Sequence, residues 1–418
     1  MSEGWQEKRL DELGFVGRGK SKHRPRNDAS LFGGEYPFIQ TGEIKATDLH
    51  ISRFTQTYND KGLAQSKLWE PGTLCITIAA NIAETAILKI SACFPDSIVG
   101  FIADPEKSDT YFVKYYLDTL KLRMQSISRG ATQDNLPVEK LLSFKLLVPS
   151  VFQQRKISSA IRVYDDLIEN NTRRIQILEE MCQRIYREWF VDFQFPGYKK
   201  VNFGDSEMGN IPEGWRIGAL SDFVSIKSGF AFKSKMFCED GKYSLVTIKN
   251  VQDGVFVPKS QNQLDDLPKN MPEYCYISSG DILLSLTGNV GRVCLVYGEN
   301  YVLNQRVAKL VPVSDSNHSF IYSFFRSSEV QQRLEMLSTG VAQQNLSPIE
   351  TGKLQIVIPS KRILKDFSSV CDSFLGEILN LYSKNLCLRK SRDLLLPKLI
   401  SGEIGVSELD IDSGKKNQ

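Results

Sequence analysis

Metal-binding spacing is missing from this sequence: its three histidines, His23, His50 and His318, stand far apart, and none of its eight cysteines makes a C-x-x-C pair. A structural zinc site is therefore not expected. The scattered thiols, with no secretory leader read ahead of them, are expected to remain reduced in a cytoplasm. No apolar run reaches the ~18 residues that a membrane span requires, so none is expected. Charge of one sign is scarce as well. The net charge is only +3 and the pI is near 8.3, which says little about nucleic acid unless the cations cluster. The chain also has no glycine-rich methyl-donor loop, no Asn/Asp-Pro-Pro-aromatic motif and no H-E-x-x-H pair. No catalytic centre is expected within it.

What the sequence does contain is a duplication. Glu3-Gly4-Trp5 recurs as Glu213-Gly214-Trp215, and Leu10 as Leu220, both at a shift of 210 positions. Ser128, Gly130, Gln133, Asn135 and Leu136 recur as Ser338, Gly340, Gln343, Asn345 and Leu346, again at 210. Val148-Pro149-Ser150 matches Ile358-Pro359-Ser360 without a gap. Between these anchors the copies diverge, so that Gly72 and Asn81 correspond to Gly280 and Asn289 at a shift of 208.

With 41% hydrophobic and 24% charged residues the composition is globular, and 418 residues exceed one ordinary core. Each copy carries short strand candidates, such as Thr73 to Ile78 and Asp281 to Leu286, then a Pro-Ser stop and a long helical stretch. The expected division is a globular unit over 1–150, a helix over 151–191 and a turn-rich linker over 192–210 around Phe195-Pro196-Gly197-Tyr198. A second globular unit over 211–359, a helix over 360–402 and a frayed tail over 403–418 follow.

After Ser150, the residues Ile157, Ile161, Tyr164, Ile168, Asn171, Ile175, Leu178, Cys182, Ile185 and Trp189 advance by alternating four and three, which is a heptad seam. The same shift yields Phe367, Cys371, Phe374, Ile378, Leu381, Asn385, Leu388, Arg392, Leu395 and Leu399. Neither stripe is stable in water alone, and the obvious partner is the other copy. Antiparallel pairing sets Asn171 opposite Asn385, Ile157 opposite Leu399, Trp189 opposite Phe367 and Arg392 opposite Tyr164. Two facing amides hydrogen-bond each other, whereas an amide facing leucine would be left unsatisfied. Asn171 and Asn385 are therefore expected to fix register and direction. About 38 residues at helical rise reach roughly 57 Å, so the helices are expected to hold two similar units apart as a pseudo-two-fold object.

Such an object suits DNA, whose half-sites present their grooves to one side of the duplex about one turn apart. Arg18, Lys20, Lys22, His23, Arg24 and Arg26 cluster in the first unit, with Asp28 just beyond; Lys227, Lys233, Lys235 and Lys249 form a thinner group in the second. These cations suit phosphate contacts. Arg, Asn and Gln on loops suit base edges, and the candidates are Gln40, Asn81, Arg129 and Gln133, then Asn289, Arg292, Gln305, Arg306, Gln343 and Gln344. Gly14 to Ser21 matches the phosphate-loop pattern G-x-x-x-x-G-K-[ST]. That loop needs a buried strand before it and a helix after it. Gln6 to Glu12 is no such strand, and Pro25 amid dense positive charge opposes a helix. A basic loop on DNA is the better reading.

Several stretches carry a family likeness: Ile211-Pro212-Glu213-Gly214-Trp215, Gln133 with Asn135-Leu136 before each Val/Ile-Pro-Ser stop, and Asp165 through Asn170. Trp189-Phe190-Val191-Asp192-Phe193 and Leu396 through Ile404 complete the set. In this order, and duplicated, they make the chain resemble the specificity subunits of type I restriction–modification systems over nearly its whole length. The resemblance implies an α+β chain in which two mixed α/β target-recognition domains are separated by two long helices forming an antiparallel coiled coil. It implies a bipartite, asymmetric site in double-stranded DNA, two modification (methyltransferase) subunits docked on the helices, and restriction subunits. S-adenosylmethionine, ATP and Mg are then expected in those partners and no cofactor in this chain. The alternatives are a coiled-coil adaptor with two protein-binding heads and a P-loop NTPase.

Overall fold

The computed structural model describes residues 4–129, 135–314, 317–338 and 344–406, with backbone alone at 128 and 129. Of the expected tail, residues 407–418 lie outside the described residues. The chain folds as two compact units, Met1–Asn170 with Leu386–Gln418, and Asn171–Asn385. The division therefore falls inside both long helices, Val151–Tyr186 and Lys361–Ile400, and not at their ends.

In the first unit the central sheet orders its strands Gly14–Arg18, Ile98–Ala103, Leu74–Thr77, Thr85–Leu88 and His50–Ile51. The run Leu74–Thr77 is buried throughout, and strand alternation sorts its side chains between two cores. Leu74 and Ile76 join Phe112, Val113 and Leu117 of the helix Thr110–Arg129. Cys75 joins Trp69, Ala86, Leu88, Phe94 and Ile98. A second sheet orders Gln56–Tyr58, Phe32–Phe38, Ala92–Cys93 and Leu68–Trp69.

The second unit repeats the plan. Its central sheet runs Val224–Ser228, Val307–Pro312, Ile282–Ser285, Val293–Leu295, and its second sheet Gln263–Leu264, Tyr243–Val246, Tyr301–Leu303, Tyr276–Ile277. Register recurs too: Ile98 opposes Thr77 as Val307 opposes Ser285. In each unit an early strand pairs with a late one, Gln6–Arg9 with Lys145–Val148 and Arg216–Ala219 with Gln355–Ile358. That pairing ties the ends of each copy together, which explains why the end anchors keep one shift while the middles drift.

None of the twenty seam positions is exposed. In the first unit Ile157 and Ile161 share a core with Leu396 and Leu399. In the second, Asn171 Nδ2 donates to Asn385 Oδ1 at 2.9 Å, the Cys182 and Cys371 thiols meet, and Trp189 packs edge-on against Phe367 at 5.9 Å. Partner numbers fall as helix numbers rise, so the helices run antiparallel within each unit.

One layer departs from expectation. Arg392 does not rest on Tyr164; its Nη1 meets Asp165 Oδ1 at 2.5 Å, and Asp165 Oδ2 accepts from the Tyr115 hydroxyl at 2.5 Å. A guanidinium removed from water needs a counter-charge, which a ring face does not supply. The linker forms its turn, with Tyr198 N donating to Phe195 O at 3.0 Å, and is also packed. Phe195 is buried and stacked on Trp215 at 5.1 Å, Phe193, Tyr198 and Val201 pack on the same core, and Phe203–Gly204 pairs with Ile211–Pro212. So much apolar surface in so short a stretch is costly to leave in water. All eight cysteines are free thiols, and no helix among the described residues is long and apolar enough to cross a membrane.

Candidate nucleic-acid interface

The basic segment of the first unit starts where strand Gly14–Arg18 leaves its sheet. There the backbone lies against residues 94–98: Gly19 N donates to Ile98 O at 2.9 Å and Lys20 N to Phe94 O at 3.1 Å. A Cβ on Gly19 would stand 2.3 Å from Pro95 O, so this close approach admits only glycine. Gly229, 210 positions on, is pressed in the same way, its Cβ position 2.4 Å from Asn304 O. The phosphate-loop pattern is thus half strand and half glycine-dependent strand exit. No helix follows it to focus amides on a phosphate.

Beyond Gly19 the loop is held from several sides. Gln65 Oε1 accepts from the backbone of Lys22 at 2.6 Å and of His23 at 3.0 Å. Arg18 donates to Asp96 O at 2.5 Å, Arg26 pairs with the Asp96 carboxylate at 2.7 Å, and Arg24 donates to Ser21 O at 2.6 Å. Asp28 accepts from Ser30 N at 2.9 Å and faces His23 at 2.8 Å; the Ser30 hydrogen bonds above all, then His23, hold its carboxyl down to about 2. Lys20 and Lys22 stay exposed with no ion pair among the described residues.

The turn after Leu74–Thr77 joins this loop through the same 94–98 segment. Ile78 N donates to Ser97 O at 2.9 Å, and Leu136 N to Ile78 O at 2.8 Å. Within the turn, Thr77 Oγ1 donates to Asn81 O and accepts from Glu84 N at 2.9 Å, while Ala80 and Ala83 take φ of 62°. Asn81 Oδ1 accepts from Lys45 Nζ at 3.1 Å. Gln40 caps the helix that carries Lys45 and bonds Gln56 at 2.8 Å. Arg129 lies in its helix with its side chain outside the described residues, and Gln133 lies outside them altogether.

The second unit builds the same end of its sheet with other side chains. Ser285 Oγ bonds Asn289 O and accepts from Arg292 N at 3.2 Å; Leu286 N donates to Arg306 O at 3.0 Å; Leu346 N donates to Leu286 O at 2.8 Å. Gly288 N donates to Gln344 O and Gln305 N to Phe230 O, both at 3.1 Å. Asn289, Arg292, Gln305, Arg306 and Gln344 are thereby gathered on adjoining turns. Arg292 is steadied by Gln252, which in turn donates to Lys249 O at 3.0 Å, and Lys249 Nζ reaches Gln261 at 2.7 Å. Lys227, Lys233 and Lys235 are exposed, on the strand and the turn after it, and none of them takes part in those bonds. Gln343 lies outside the described residues.

Sequence reading missed Lys67, whose ammonium sits 3.7 Å from the Trp69 ring and 4.7 Å from that of Phe15; burial first, then Lys20, lowers its pKa. A lone lysine gives no signal until the fold places it. Likewise the fold brings His50, Asp166 and Glu169 within 4.8 Å of one another, which histidine spacing alone could not reveal. Lys89 pairs with Glu169 at 3.3 Å, Arg162 with Asp166 at 3.2 Å, and Tyr111 bonds the far ring nitrogen at 3.0 Å, so the group is an ionic network already supplied with cations.

Four likenesses bear on these units. The sequence profile described as "Type I restriction modification DNA specificity domain" matches residues 2–180 and 212–381. The type I restriction enzyme MjaIX specificity subunit of Methanocaldococcus jannaschii is 26% identical over 413 residues, covering 97% of this chain and 94% of that protein. The HindI specificity subunit of Haemophilus influenzae is 25% identical over 340 residues, covering 68% and 74%. Among solved structures, the S subunit of a type I restriction–modification system from M. genitalium has the same fold, with a TM-score of 0.55 at 15% identity over 96% of this chain and 97% of that one.

Proposed function

The chain belongs to the type I restriction–modification DNA specificity family, and on that footing we propose that it is the DNA-reading subunit of a type I complex with no covalent chemistry of its own. Each unit reads one half of a bipartite, asymmetric site in double-stranded DNA. Two modification subunits dock along the long helices and bring S-adenosylmethionine-dependent methylation of adenine. Restriction subunits, using ATP and Mg, join them.

The observation that carries this reading is the recurrence of one loop arrangement at the same end of the sheet in both units, with unlike side chains upon it. A shared frame with different edges is what two readers of different half-sites require. Lysines such as Lys20 and Lys22 suit phosphates, which position without specifying. Arg292, Arg306, Asn289 and Asn81 suit base edges, where forked donors and amides discriminate. An adaptor of two protein-binding heads would have no use for either set.

The test is to sequence methylated adenines in a host carrying this chain with its partner subunits. The methylated motif is expected to be split and asymmetric. A continuous palindrome would overturn the reading.

A further inference from the structure

We propose that the two long helices carry seats of opposite charge, so that each globular part can settle only at its own position. The seats are compared by the 210-residue shift that relates the helices. Glu179 and Arg389 are equivalent under it, and so are Asp165 with Leu375 and Cys182 with Arg392. All three positions therefore differ in charge between the seats.

The globular parts match this difference. In the first unit Arg389 donates to Asp48 at 2.6 Å, and buried Asp165 takes the Tyr115 hydroxyl at 2.5 Å and Arg392 at 2.5 Å. In the second unit the glutamate equivalent to Arg389 faces a cation: Glu179 lies 3.8 Å from Arg326 Nε and accepts from the Tyr322 hydroxyl. Arg326 also pairs with Asp253 and packs over Gly254, where a Cβ would stand 2.6 Å from its guanidinium. At equivalent places the helix supplies plus to minus in one unit and minus to plus in the other.

Exchange is penalised both ways. The second globular part on the first seat would set Arg326 against Arg389 beside Arg392. The first part on the second seat would set Asp48 against Glu179 and turn the Tyr115 hydroxyl onto Leu375, leaving a polar group unpaired. Glu179 and Arg326 are the more decisive pair, because they lie deep and an uncompensated buried charge costs far more than an exposed one. The consequence for DNA, a fixed order of the two half-sites, rests on the function proposed above; the seating itself does not.

The test uses full-length chains and hydrogen exchange within each unit. In the natural chain Arg389→Glu loosens the first unit a few-fold, and adding Asp48→Arg recovers it. In a chain whose residues 1–150 are replaced by a second copy of 211–359, the copy is expected to stay unprotected on the natural seat. It gains protection when the seat is rewritten as Asp165→Leu, Arg389→Glu and Arg392→Cys. Equal protection on either seat, or an Arg389→Glu effect of the same sign in both chains, overturns the proposal. Should neither replaced chain fold, Glu179→Arg decides: adding Arg326→Glu together with Asp253→Asn, which removes the carboxylate that would otherwise face the new glutamate, restores protection in the second unit, and failure to restore it overturns the proposal. Exchange is read without DNA, so these outcomes are independent of whether the chain reads a split site.

Discussion

Replacing Asn171 by leucine removes the donor from the Asn385 carbonyl, which lies 2% exposed with its amide left to Thr172 Oγ1 at 3.4 Å. A buried acceptor stripped of its partner costs about 1–3 kcal/mol. Asn385→Leu strands the Asn171 amide in the same way, since Asn171 is 9% exposed. The double replacement strands nothing and adds an apolar layer, so it is expected to recover most of the loss. Each single variant then falls by about 2 kcal/mol. For a unit of this size that corresponds to roughly 4–8 °C in Tm. Fluorescence suits the assay, because Trp189 and Trp215 both lie in the core of the second unit. The informative quantity is the coupling across the four chains, expected at about 3–4 kcal/mol and favouring the like pairs. Additivity to within ~0.5 kcal/mol would mean that the amide pair does not set the register.

Arg392→Leu leaves the fully buried Asp165 with Tyr115 alone and is expected to cost about 3–5 kcal/mol, while Asp165→Leu and Arg392→Leu with Tyr115→Phe, which strands no polar group, returns most of it; thermal unfolding compares the three chains. Arg292→Ala is expected to lose about 1–3 kcal/mol of discrimination at one base pair of one half-site, read by competition against duplexes substituted position by position. Lys20→Gln should weaken binding to all sequences alike and flatten the slope of log K against log salt by about 0.9. The Asp28 carboxyl is held at about 2 against an ordinary 3.8, so its hold on the basic loop is complete above 3.8 and lost as pH falls through about 2. Exchange at the Ser30 amide should follow that course, and Asp28→Asn should abolish it.

The duplication and the seam were legible because they rest on spacing, which a sequence displays directly. Asn171 and Asn385 stood out as amides in an apolar stripe, one on each helix, and they meet at 2.9 Å. Asp165 did not, since it lies one residue off the seam and acquires its role only from Arg392 and Tyr115, both remote in the chain. The basic cluster was visible as composition, but Gln65 and Asp96, which hold it, carry no local signal. The linker shows the same division: Pro196 and Gly197 announce the turn that forms, while the burial of Phe195 depends on Trp215, remote from any local signal. The turn at Ala80 and Ala83 lacks the glycines that usually mark positive φ, so only the hydrogen bonds of Thr77 account for it.

Because the first compact unit gathers residues up to Asn170 together with the stretch from Leu386 onward, it waits for a piece synthesised after the whole of the second unit. At about 5–20 residues per second the ribosome takes some tens of seconds to deliver it. Through that interval Ile157 and Ile161 lack Leu396 and Leu399, while the later unit already possesses every segment it needs. Order of translation and order of maturation are thus reversed, and a nonsense codon after Asn385 would injure the unit begun first and spare the one begun second.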